Sequence, residues 1–229
     1  MSLTKLLEPI DKQIEKSCEP LPKKNNLIWL IVGAKGKGKS NLLLRSLMHD
    51  EFYKNYYDNI YLVSPTADKD PKFDSLVKEL KEDSHFYEEP TAENVEEIIE
   101  NIKMFNDGFN VKKKKRQPRS LIIFDDTISS FPRSTEKSII NKLIISHRHL
   151  KTSIFITSQS FKKLNTIIRS NADLISFFQN DNVAELKGFR DEYNIKDEYM
   201  DLLKMSNDFL HVSFCSGKKQ VFFKFDSID

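Results

Sequence analysis

Leu27-Ile28-Trp29-Leu30-Ile31-Val32 runs directly into Gly33-Ala34-Lys35-Gly36-Lys37-Gly38-Lys39-Ser40. The second stretch fits G-x-x-x-x-G-K-[ST], the Walker A pattern, and the first reads as a buried strand feeding it. Glycines give the backbone conformations closed to other residues, so successive N–H groups can turn inward around an anion. A helix expected over 40–48 aims its N-terminal amides and positive dipole end at the same point. Lys39 then reaches the β- and γ-phosphates of a nucleotide, and the Ser40 hydroxyl binds Mg²⁺. The expected nucleotide site is Gly33, Ala34, Lys35, Gly36, Lys37, Gly38, Lys39, Ser40 and Asn41. Lys35 and Lys37 add charge to this loop, and solvent exposure is their default.

The fold class follows from what lies downstream. Short, nearly continuous apolar runs recur at 60–63, 121–124, 154–157 and 174–178, as in strands buried on both faces of a parallel sheet. Helical stripes lie between them. Val95, Ile98, Ile99, Ile102 and Phe105 are spaced to share one helix face, with Thr91 as N-cap. Ile139, Ile140, Leu143, Ile144 and Leu150 repeat the pattern behind Ser134. The alternation predicts an α/β P-loop NTPase domain over 26–229 with a mostly parallel, doubly wound sheet. Runs at 209–215 and 220–225 flank Ser216-Gly217-Lys218-Lys219 and predict a C-terminal β-hairpin within 206–227. Residues 1–25 contain Pro9, Pro20 and Pro22 and are expected to form an arm outside the sheet.

Bulk properties exclude little. The 229 residues suffice for one α/β core. The 36 basic and 34 acidic residues leave a net charge of +2, so charge distribution matters more than balance. Lys112-Lys113-Lys114-Lys115-Arg116 is concentrated, and with Lys218 and Lys219 it is a candidate contact for nucleic-acid phosphates. Solvated loops are the commoner use of such runs. Cys18 and Cys215 lack metal-ligand spacing and read as reduced thiols. No apolar stretch approaches the roughly 20 residues of a membrane span.

Leu121-Ile122-Ile123-Phe124-Asp125-Asp126 supplies the second half of the site. Its two carboxylates emerge at the C-terminal end of a buried strand, where open α/β sheets carry ligands. Asp125 is expected to hold the Mg²⁺ water shell beside Ser40. Asp126 is expected to orient and deprotonate an attacking water. The next strand ends in Thr157-Ser158-Gln159, and Gln159 can bond a γ-phosphate oxygen or that water. Guanine specificity is disfavoured, because Asn141-Lys142 is followed by Leu143 and Ile144 rather than the acid of Asn-Lys-x-Asp. His147-x-His149 lacks the three- or four-residue spacing of helical metal ligands.

Together these blocks, with Ile60-Tyr61-Leu62-Val63-Ser64-Pro65-Thr66, Ser146-His147-Arg148-His149 and Arg169-Ser170-Asn171, resemble the poxvirus-type DNA-packaging ATPases of large double-stranded DNA viruses. That family sits within the FtsK–HerA superfamily of P-loop motors. The resemblance covers residues 27–180, and the terminal hairpin fits the family plan. It implies an Mg²⁺-dependent ATPase that assembles as a homo-oligomeric ring, a pentamer or hexamer, and translocates double-stranded DNA. It further implies a capsid or vertex partner and a place in the host cytoplasm or the virion. Gln159 matches the family's sensor glutamine. The family also supplies an arginine from one subunit to its neighbour's site, for which Arg148 and then Arg169 are the candidates. One departure is Asp126, which stands where such motors often carry the longer Glu.

Two rival readings share the phosphate loop. A P-loop kinase for a small metabolite needs an acceptor pocket and commonly an Arg-rich lid, and neither is legible. A binding module would use ATP occupancy to gate DNA or protein partners with little turnover.

Overall fold

In the computed structural model, which describes residues 19–111, 116–127 and 139–227, nine strands form one sheet in the order β3-β2-β4-β5-β1-β6-β7-β8-β9. The strands are β1 (Ile28–Val32), β2 (Asn59–Val63), β3 (Phe86–Tyr87), β4 (Ser120–Phe124), β5 (Thr152–Ser158), β6 (Leu174–Phe178), β7 (Phe209–Ser213), β8 (Gln220–Phe223) and β9 (Asp226–Ser227). Strands β1 to β6 are parallel, and β6 to β9 pair antiparallel. The helices are α1 (Lys39–Met48), α2 (Asp74–Glu82), α3 (Ala92–Val111), α4 (Ile139–Ser146), α5 (Thr166–Ser170), α6 (Val183–Tyr193) and α7 (Asp197–Met205).

Every β1 residue is buried because helices cover both faces of the sheet. Successive side chains along a strand point to opposite faces. Ile28, Leu30 and Val32 join a core with Val95 and Ile98 of α3, Leu143 of α4, Phe189 of α6 and Leu203 of α7. Trp29 and Ile31 join a second core with Leu43 of α1, Val77 and Leu80 of α2, and Tyr53. This is the doubly wound arrangement expected of continuous apolar strands.

Topology sets up the site. Strand β5 lies between β1 and β4, with Val32 level with Ser158 and Phe124 level with Ile156. The residues that follow these strands, Gly33, Asp125 and Gln159, therefore leave the sheet side by side at its C-terminal edge.

The expected strands all form, with β4 and β5 extended by polar residues at their ends. The apolar stripe ending at Leu150 stops being helical at Ser146. Leu150 instead packs on the core from a turn that closes at Lys151, where φ is +53°. Ser134, the expected cap, lies outside the described residues. Thr91 does cap α3, accepting Asn94 N–H at 3.2 Å. Helices α2, α6 and α7 and strands β3 and β9 had no strong signal. The helices are short, α6 carries Gly188, and each of the two strands is two residues long. The hairpin turns at Gly217, where φ is +77°, and pairs Ser213 with Gln220. Of the expected arm, Leu21 and Pro22 are buried against the second core face. Pro20 O accepts a bond from His211 Nε2 at 2.6 Å. Residues 1–18, including Cys18, lie outside the described residues.

Candidate functional site

The phosphate loop is tied to its neighbours before it turns. Gly33 N–H donates to Ser158 O at 3.0 Å, which pins the loop to β5. A Cβ on Gly33 would lie 2.6 Å from Phe178 Cβ, so no side chain fits there without displacing β6. Gly36 and Gly38 take φ of +80° and +103°, a region that suits glycine. Gly38 is the N-cap of α1, and Lys39 and Ser40 form its first turn. The free amides and the positive dipole end of α1 thus lie where the loop closes.

Lys39 is buried, and its ammonium donates to Gly33 O at 2.8 Å and Ala34 O at 3.2 Å. Burial lowers its pKa, against the opposing charges of Asp126 and Asp125. Lys35 is exposed, as is Asn41. Lys37 is not free: its ammonium donates to Gln179 Oε1 at the end of β6.

Asp125 is buried where β4 ends, and both of its oxygens are held. Oδ1 accepts the Thr157 hydroxyl at 2.7 Å, and Oδ2 accepts the Ser64 hydroxyl at 3.2 Å. Burial raises its pKa and the Asp126 charge adds to this, while the Thr157 and Ser64 hydrogen bonds and Lys39 oppose. The next residue, Asp126, sits at φ +50°. Asp tolerates this left-handed region better than most side chains, and residues so held cluster at functional sites. Its N–H donates to Thr157 Oγ1 at 3.0 Å, and its Oδ2 accepts Gln159 Nε2 at 3.0 Å. Asp126 Oδ1 is buried with no hydrogen-bond partner.

The four side chains Lys39, Asp125, Asp126 and Gln159 therefore converge on one sheet edge beside Ser40. Two roles went unread in the sequence. Thr157 organises both acids through one hydroxyl, and Ser64 holds Asp125 while accepting Thr66 and Ala67 N–H at 3.3 and 3.1 Å. The only signal for either is a polar residue closing an apolar run. The donor set fits a hard divalent cation shared with phosphate. Ser40 and Asp125 offer oxygen ligands, and Asp126 Oδ1 lacks a partner. Among the described residues no three His, Cys, Asp or Glu side chains are grouped to hold a metal alone.

Neither candidate arginine reaches this edge. Arg148 lies in the turn between α4 and β5, at the opposite end of the sheet from Gln159. Seven residues of β5 separate those ends, about 20 Å. Its side chain is 68% exposed, and its guanidinium approaches Asp173 at 3.7 Å. Arg169, at the end of α5, is ion-paired with Glu192 at 3.0 Å, donates to Leu164 O and lies over the Phe161 ring. Arg148 is therefore too far away to contact a nucleotide held by its own phosphate loop. His147 is buried, with its ring nitrogens 2.7 Å from Ile144 O and 3.0 Å from Asn26 O.

The candidate phosphate contacts are also partly committed. Lys112 to Lys115 lie outside the described residues. Arg116 grips Asp58, with Nη1 2.6 Å from Oδ2, and lies over the Phe109 ring. Lys219 donates to Tyr193 O and Asn194 O, capping α6. Lys218 is exposed at the hairpin tip.

Residues 19–228 match the family described as Poxvirus A32 protein. The chain belongs to that family. Solved structures share the fold of this A32-family chain. The genome packaging NTPase B204 from Sulfolobus turreted icosahedral virus 2, in complex with AMP, is 18% identical with a TM-score of 0.64 over 89% of this chain and 98% of its own. Its complex with ATP-gammaS gives 18% and 0.61 over 88% and 98%. B204 described as the DNA-packaging ATPase from Sulfolobus Turreted Icosahedral Virus gives 18% and 0.56 over 91% and 99%. At these identities the likeness establishes the P-loop NTPase fold. No curated protein matches the chain. No described helix is long and apolar enough to cross a membrane.

Proposed function

We propose that this A32-family chain is an Mg²⁺-dependent ATPase that translocates double-stranded DNA as a homo-oligomeric ring, packaging a viral genome into a capsid. The observation that carries the reading is the bond from Gln159 Nε2 to Asp126 Oδ2, 3.0 Å long, at the edge where Lys39 lies. A carboxylate and an amide joined beside a phosphate loop are what a hydrolase needs to hold a water and sense a γ-phosphate. Family membership and the fold shared with packaging NTPases support the same reading.

Each residue has a role in this scheme. Lys39 exchanges its carbonyl partners for phosphate oxygens and offsets their charge. Ser40 and Asp125 would hold Mg²⁺, which when bound neutralises charge that builds on the phosphates. Asp126 accepts a proton from the attacking water at a carboxylate oxygen. Gln159 turns its amide from Asp126 toward the γ-phosphate. Arg148, exposed at the far edge, reaches a neighbouring subunit's nucleotide and stabilises transition-state charge there. Arg169 is the weaker candidate because Glu192 holds it within its own subunit. A vertex or capsid protein receives the ring, at the site of virus assembly.

The test is ATP turnover with and without duplex DNA, with Lys39→Ala as control and mass spectrometry for phosphorylated small molecules. The proposal expects DNA-stimulated release of inorganic phosphate that Lys39→Ala abolishes. Transfer of phosphate to a metabolite would favour a kinase instead. Tight ATP binding without turnover would favour a gated binding module.

A further inference from the structure

The loop that carries Gln159 is held from outside the site by one buried carboxylate. Glu185, in the first turn of α6, accepts the Ser160 hydroxyl at 2.7 Å, Phe161 N–H at 2.6 Å and Lys162 N–H at 3.3 Å. It is only 8% exposed. The loop closes on itself as well: Ser160 N–H donates to Ser158 Oγ, and that hydroxyl donates back to Ser160 O. Gln159 is thus bracketed by two serines, one on β5 and one on Glu185.

The same segment touches the phosphate loop. Gln179, where β6 ends, accepts the Lys37 ammonium, and Gln179 N–H is anchored on Asp208 O at 2.9 Å. Asn182 caps α6 by accepting Ala184 N–H at 2.9 Å, which fixes the turn that presents Glu185. Residues 179–185 therefore grip the phosphate loop at one end and the Gln159 loop at the other. A buried carboxylate with three donors from one loop is a costly group to keep for stability alone, since its burial is offset only while every bond is made.

We infer that Glu185 is a positioning residue for γ-phosphate recognition. It sets the backbone on which Gln159 pivots between Asp126 and the γ-phosphate, and it couples that pivot to the phosphate loop through α6. The Glu185 carboxylate acts through Ser160, Phe161 and Lys162, the residues that follow Gln159. The inference rests on the proposed ATPase reading of the site.

The experiment compares wild type, Glu185→Ala, Glu185→Gln, Ser160→Ala, Gln159→Ala and Gln159→Ala/Glu185→Ala. For each, kcat and KM for ATP are measured, with the ratio of affinities for a non-hydrolysable ATP analogue and ADP. Glu185→Ala should lower kcat about tenfold with KM within about twofold, and should compress the affinity ratio as Gln159→Ala does. Glu185→Gln keeps an oxygen for the two N–H donors and should restore most of kcat. Ser160→Ala, which leaves Glu185 two partners, should show a smaller loss of the same kind and serves if Glu185→Ala does not fold. The double variant should be no worse than Gln159→Ala, because both act through one group. Multiplicative losses in the double variant, or Glu185→Gln as impaired as Glu185→Ala, would overturn the assignment. A wild type that binds ATP without turnover would remove the enzymatic reading only. The affinity ratio then decides, and a Glu185→Ala ratio equal to wild type overturns the Glu185 role.

Discussion

Thr157 Oγ1 donates to Asp125 Oδ1 at 2.7 Å across the β4–β5 register, and its free lone pairs take Asp126 N–H at 3.0 Å. One hydroxyl thus fixes the Asp125 carboxylate and the Asp126 backbone together. Thr157→Val keeps the shape but strands both partners in a buried setting. Chemical denaturation should register a loss of about 1–3 kcal/mol. Turnover should fall further than nucleotide affinity, because Asp126 loses the anchor that holds its left-handed backbone. Wild-type turnover in a destabilised Thr157→Val protein would show that the hydroxyl serves folding alone.

The two adjacent acids should separate in their effects. Asp126→Asn should leave Mg²⁺-ATP binding largely intact and cut turnover about 10²-fold or more, the usual scale for losing a general base. Asp125→Asn should weaken the Mg²⁺ dependence itself. Equilibrium binding across a Mg²⁺ titration, set beside turnover, checks this division. An equal binding defect in both variants would contradict it.

Stability should depend on pH through His211. Its Nε2 lies 2.6 Å from Pro20 O and its Nδ1 2.9 Å from Ser176 Oγ, which also accepts Trp29 Nε1 at 3.1 Å. Burial lowers its pKa to about 4. The unfolded chain binds this proton first, near the ordinary His value of about 6.5, so its contribution is complete above that pH. It is lost as pH falls from about 6.5 to about 4, by up to about 3 kcal/mol over the whole window. Urea unfolding followed by the fluorescence of Trp29, the only tryptophan, should show this slope. His211→Gln should flatten it relative to wild type. Parallel slopes in the two proteins would remove His211 as the cause.

Arg148→Ala should keep the fold and nucleotide affinity while lowering turnover sharply. Mixing it with Asp126→Asn protein should restore part of the activity, because some interfaces then pair an intact Asp126 with an intact Arg148. Rescue cannot occur if both residues serve one site within one subunit. No rescue in rings shown to contain both variants would count against Arg148, and the same mixture with Arg169→Ala tests the alternative.

What the sequence made legible was local. Leu27 to Ser40 and Leu121 to Asp126 each encode a strand and the residues that leave its C-terminal end in a few consecutive positions, so spacing alone placed them. The residues that hold those ends in place are distant in sequence. Thr157 lies 32 residues from Asp125, Ser64 lies 61 from it, and Glu185 lies 25 from Ser160. The Thr157 pair depends on β5 lying beside β4, the Ser64 pair on β2 lying along the other side of β4, and the Glu185 pair on where α6 packs. Strand order and helix packing leave no trace in periodicity. The place of Arg148 in the fold was hidden for the same reason. It precedes the strand that carries Gln159, yet a strand's two ends lie on opposite edges of the sheet.

In the proposed function, ATP hydrolysis at this site moves duplex DNA. The most direct measurement is displacement of a third strand from a triplex on linear duplex DNA, followed in time with ATP, with a non-hydrolysable analogue, and with Asp126→Asn protein. Displacement should require ATP, increase with the length of flanking duplex available for loading, and be lost in Asp126→Asn. Robust ATP hydrolysis with no displacement above the analogue control would contradict it.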